Sequence, residues 1–207
     1  MNIIKIYKKY GIPKQLQEHM LRVTACSSLI LDNWDGPSVD RNMLTRILLL
    51  HDMGNLVKIV EEYTDKNFIS NRDKYLSMYG NDDHAVSEAI GKELGLNEKE
   101  LFIMGEKCFM NNEDTRNSNS YEIKIGAYCD QRVAPTGVFP LMERMMEGKE
   151  RYKDRPGTSF NNPKTDYMIA CAEEIERQIM QCCHLTEADI TDHTIAPYIE
   201  QLKQYEI

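Results

Sequence analysis

Apolar residues recur along this chain at spacings of three and four, the period of helices with one buried face, and no run alternates apolar with polar as a half-buried strand would. Leu16, Met20, Val23, Ser27 and Ile30 mark the inner side of a helix predicted over about 13–33, entered through Gly11 and Pro13. Asp35-Gly36-Pro37-Ser38 is a turn, and Ser38 or Asp40 caps a central helix over roughly 40–60. Residues 61–82 are polar, acidic and tyrosine-bearing, and read as a loop with a short helix that the central helix delivers close to the site described below. Asp82-Asp83-His84 opens a helix to about Leu94, stopped by Gly95. Asn97 and Glu100 form a capping-box variant for a helix over 98–110. The Asn-rich stretch 111–119 is predicted to be an exposed, mobile loop, and Ser120 to cap a helix that ends before Pro135. Further helices are predicted at about 138–151 and 164–184, with a loop at Arg155-Pro156-Gly157-Thr158-Ser159 between them and Asn162-Pro163 as the second one's start. A start at Thr186 to Asp189 and a short helix from Ile195 to Tyr205 finish the chain. The pattern predicts an all-α, single-domain bundle of roughly eight helices over 1–207, with a core of about 13–135 and a C-terminal helical extension of about 136–207.

One stretch breaks its own pattern. Leu48-Leu49-Leu50-His51-Asp52-Met53-Gly54, flanked by Met43, Leu44, Ile47, Leu56, Val57 and Ile59, is apolar on nearly every side and belongs in the core. An ionised carboxylate there is costly unless it is paired or binds a metal, and the adjacent imidazole is a ready partner or fellow ligand. His19 lies on the predicted helix upstream, and Asp130 on another largely apolar helix, Tyr121 to Val133.

Composition narrows the classes. The chain has 207 residues, 42% of them hydrophobic, enough for a sizeable core. A net charge of −8 argues against a broad surface for polymeric nucleic acid, though not against a local cationic pocket. No run of 18 apolar residues offers a membrane span, and the first ten residues lack the apolar core of a signal peptide. Six cysteines without a secretory signal read as reduced thiols, so the expected compartment is the cytoplasm. Cys182-Cys183-His184 with His193 is a poor zinc set, because adjacent cysteines do not easily bind one ion.

His19, then His51-Asp52 behind a leucine run and before Gly54, then a distant Asp130 resemble the HD-domain superfamily of metal-dependent phosphohydrolases over about His19 to Asp130. The resemblance implies a phosphohydrolase acting on a small phosphate ester, a nucleotide among the candidates. It implies that His19, His51, Asp52 and Asp130 hold one divalent transition metal: Mn, Fe, Co, Ni or Zn. Two-metal members place more than one extra histidine before the last aspartate, and this chain has only His84 there. Imidazole and carboxylate suit such ions, and two aspartates neutralise a divalent charge. Asp52 is also expected to bridge to or deprotonate the attacking water, and His84 to serve the leaving oxygen or the phosphate. Arg22, Lys58, Lys124 and Arg132 are the candidate phosphate-binding cations.

The chain departs from better-known branches. Met53, Gly54, Asn55 and Leu56 stand where alarmone hydrolases show an acidic pair and single-metal 5′-nucleotidases a glutamate. Asn55 replaces the lysine that follows the glycine in cyclic-dinucleotide phosphodiesterases. The missing acid supports an alternative: a non-catalytic, metal-holding HD domain that senses a nucleotide or a partner.

Overall fold

The computed structural model describes residues 1–60, 63–151 and 163–207. Among these the chain forms an all-α, single-domain bundle of eleven α-helices with short 3₁₀ turns and one two-stranded ribbon. No helix among them is long and apolar enough to cross a membrane. The predicted 155–159 loop and the Asn162 cap lie outside the described residues.

The first helix, α1 (Ile3–Tyr10), had no counterpart in the sequence reading. Ile3, Ile6, Tyr7 and Tyr10 are all buried, at helical spacing, and the Ile4 N–H donates to the Asn2 side chain. Gly11, at φ 67°, ends the helix in the left-handed conformation that glycine adopts without cost. Next, α2 (Lys14–Asp32) buries Met20, Val23, Ala25, Cys26 and Ile30 completely. Each large apolar side chain so buried stabilises the fold by about 1.5–3 kcal/mol. α2 is the axis of the bundle: α3 (Arg41–Leu50), α8 (Tyr121–Arg132) and α11 (Asp192–Leu202) all pack on it.

The predicted central helix is broken. α3 stops at Leu50, and Met53–Lys58 is a 3₁₀ turn. Gly54 explains the break: its N–H donates to Ser87 Oγ (3.0 Å), and a β-carbon there would lie 2.0 Å from the Asp83 carbonyl oxygen. The turn therefore sits directly on α5 (Asp83–Glu93), closer than an ordinary helix surface permits.

Three other expectations change. The segment read as a loop with a short helix contains α4 (Lys66–Tyr79), whose Phe68 and Tyr75 are buried. The helix predicted over 98–110 is α6 (Glu98–Gly105); it keeps its capping box but stops early. The predicted mobile loop at 111–119 is mostly α7 (Asn112–Asn117). Asn112 is buried, exchanges hydrogen bonds with Gln131 (3.0 and 2.8 Å) and donates to the Met168 carbonyl (3.1 Å). A paired amide of this kind belongs in a core, although its sequence reads as a turn.

After α8, Val133–Ala134 pairs antiparallel with Gly137–Val138. Then come α9 (Leu141–Arg151) and α10 (Pro163–Met180), which packs on α7, α8 and α9. Thr186 to Asp189 forms a capped 3₁₀ turn, and α11 begins at Asp192, earlier than predicted. The C-terminal helices are thus integral to the bundle. All six cysteines are unpaired.

Candidate metal centre

Three helices converge on one point. α2 brings His19, the end of α3 brings His51 and Asp52, and α8 brings Asp130. Each offers a ligand atom, and these atoms all lie within 4.8 Å of one another. Adjacent residues on an unbroken helix point about 100° apart. Because α3 ends at Leu50, Asp52 turns so that its Oδ1 lies 3.7 Å from His51 Nε2. His19 Nε2 is 3.0 Å from Asp130 Oδ1 and 3.5 Å from Asp52 Oδ2, while His51 Nε2 is 3.4 Å from Asp130 Oδ1.

His51 decides whether a metal fits. Its Nδ1 lies 2.6 Å from the Leu48 carbonyl, which only accepts, so Nδ1 carries the proton. Its Nε2 is buried with no hydrogen-bond partner. In the neutral ring that nitrogen turns a lone pair toward two carboxylates, an arrangement that a cation among them would resolve. Two imidazole nitrogens and two carboxylates suit a divalent transition metal.

The electrostatics agree. Burial is the largest single influence on both aspartates and opposes their charge, but Lys107 and the two histidines together outweigh it and hold both carboxyls below their usual range. Burial likewise opposes a charge on His19, but the hydrogen bond and charge of Asp130, with that of Asp52, raise its pKa overall.

That shift carries a prediction with two opposite signs. In metal-free protein, the stability His19 gains from its charged partners is fully present below its unfolded value of about 6.5 and is lost as pH rises through the raised folded value. The two aspartates stay ionised across this window, so they contribute evenly. Metal binding must displace the His19 proton, so metal affinity grows over the same rise. Melting curves from about pH 6 to about pH 9 should show chelated protein losing stability while the increment from added metal increases. Parallel curves would show that His19 is not a ligand.

The cluster opens into two cavities. One, of about 270 Å³, is lined by His19, Asp52, Asp130, Lys107 and Arg144, with Phe109, Met145 and Ile169 on its apolar side. The second, of about 470 Å³, shares His19, Asp52 and Arg144 and adds Lys58, Tyr63 and Arg151. Arg144, Met145 and Ile169 come from the segment predicted as an extension, so that segment completes the site.

The proposed cations fare differently. Lys58 lines the second cavity, with its ammonium 2.5 Å from Asp83. Arg22 lies 3.6 Å from Asp192 and 3.8 Å from Glu18, outside both cavities. Lys124 is buried with its ammonium 5.0 Å from the Tyr121 ring centre, and burial lowers its pKa. Arg132 is also buried. It donates to Tyr128 Oη (2.5 Å) and to the carbonyls of Phe139, Glu187 (3.2 Å) and Ile190 (3.0 Å), tying α8 to the C-terminal segment. Neither Lys124 nor Arg132 lines a cavity at the cluster. His84 is exposed and lines a separate cavity of about 290 Å³ with His51 and Ser87; Lys107 borders both that cavity and the one at the cluster.

Lys107 is the residue the sequence reading missed. It follows the early end of α6, and its ammonium lies 2.5 Å from Asp52 Oδ1. Arg144 was missed as well, since its charge sits in an otherwise ordinary run of surface residues. No family model, no curated protein and no solved structure matches this chain.

Proposed function

We propose that this chain is a metal-dependent phosphohydrolase of the HD-domain type, acting on a small phosphate monoester. The observation that carries the reading is the orphaned, buried Nε2 of His51, faced by two aspartates and His19, and those three line the cavity above it. When bound, a divalent ion supplies Lewis acidity that polarises a phosphoryl oxygen and acidifies water.

The chain's own groups supply the rest. Asp52 Oδ2, the oxygen not paired with Lys107, orients the attacking water. Arg144, common to both cavities, donates through Nε to the Val133 carbonyl (3.3 Å) and through Nη1 to Glu147 (2.9 Å), and offers a phosphate oxygen its remaining N–H donors. Phe109, Met145 and Ile169 provide an apolar wall for the leaving group and exclude water. Cavities of this size favour compact esters such as mononucleotides, and the net charge of −8 works against polymers.

The test combines metal analysis with a panel of phosphate esters assayed with added Mn, Co, Ni or Zn. About one metal per chain and phosphate release from compact monoesters are the expected results. Metal without turnover, but with nucleotide binding, would favour a sensing domain. Faster hydrolysis of DNA or RNA than of monoesters would overturn the substrate assignment.

A further inference from the structure

Lys107 puts a buried ammonium against a carboxylate that the metal reading assigns to the ion. Its side chain is 12% exposed, and α6 stops at Gly105 so that the irregular run after it turns this residue inward. Among the described residues its hydrogen-bond partner is Asp52. An ammonium has three N–H donors, so that bond leaves two. Lys107 lines the same cavity as His19, Asp52, Asp130 and Arg144.

Charge gives the pair a purpose. The two aspartates carry −2, and a divalent ion would only cancel them. With Lys107 the four ligands, the ion and the ammonium together hold a net charge of about +1, which favours a phosphate dianion in the cavity that Arg144 also lines.

We propose that Lys107 is the second cation of this centre: it binds one oxygen of an anionic phosphate held over the metal. This rests on the metal-dependent reading above. Asp52 anchors the ammonium, and its remaining donors reach the anion from the cavity wall. The ligand class is accordingly a tetrahedral oxyanion, recognised by one metal and the Lys107 ammonium, with Arg144 in the same cavity.

The experiment is calorimetric titration of inorganic phosphate into Mn-loaded protein, with metal content measured on every sample. Wild type should hold one metal per chain. Lys107→Met should hold one metal and bind phosphate about 10–100-fold more weakly, the loss typical of one charge-assisted hydrogen bond. Should the methionine variant fail to fold, Lys107→Gln serves, because it keeps a polar side chain beside Asp52 while the charge is gone; the same loss is expected. Phosphate affinity within about threefold of wild type in the folded variant would overturn the inference, reducing Lys107 to a structural partner of Asp52. Wild type with no metal would instead sink the phosphohydrolase reading itself, which separates the two failures.

Discussion

His51→Ala should strip the protein of metal and lower phosphatase activity by at least about 100-fold, since losing even the outer partners of metal ligands costs about 10–100-fold. The variant removes a buried nitrogen that lacks a partner among the described residues and leaves Asp52 and Asp130 with His19 alone on the imidazole side. Asp52→Asn should act similarly while keeping the side chain's shape, because an amide neither carries charge nor serves as a good ligand. His84→Ala is the control: its imidazole is exposed and borders a different cavity, so metal content should be unchanged. Elemental analysis and circular dichroism on each variant separate ligand loss from unfolding. A His51→Ala protein that retains full metal would remove His51 from the centre.

Gly54→Ala should destabilise the fold by about 3 kcal/mol, the upper range for forcing atoms into a packed interior. The added methyl would meet the Asp83 carbonyl oxygen at 2.0 Å and the Ser87 amide nitrogen at 2.5 Å, and both belong to backbone that α5 holds in place. Ser87→Ala, which removes only the hydrogen bond to the Gly54 N–H, should cost about 1 kcal/mol. Urea unfolding compares the two, against a total stability of about 5–15 kcal/mol for a domain. Metal affinity should fall with Gly54→Ala too, because the displaced turn begins at the residue after Asp52. Equal midpoints for Gly54→Ala and wild type would mean that the turn and α5 do not pack as described.

His51 and Asp52 were legible because they interrupt the most apolar run of the chain, an expense that burial makes conspicuous, whereas His19 and Asp130 joined them through the family resemblance. α1 was equally legible: Asn2, Gly11 and the spacing of Ile3, Ile6, Tyr7 and Tyr10 spell out a capped amphipathic helix that the reading passed over. α7 was not, because what makes Asn112 a core residue is Gln131 and the Met168 carbonyl, both remote in sequence. Arg132 shows the reverse problem. A charge at the end of an apolar helix announces burial, yet its partners are carbonyls up to 58 residues away, and spacing alone does not tell a carbonyl from a phosphate. Lys107 gave no signal, since its value comes from where α6 stops.

The hydrogen bond from His51 to Leu48 makes the end of α3 spectroscopically visible. The Leu48 carbonyl lies in the last turn, where helix carbonyls lack onward donors, and the imidazole satisfies it. Helix termination and ring tautomer are therefore one event. A ¹⁵N resonance from this ring would report, without any enzymatic assay, whether the chain has unwound at Leu50 and turned Nε2 toward the aspartates. Variants that regularise the turn after α3 should shift that resonance before they change the melting temperature.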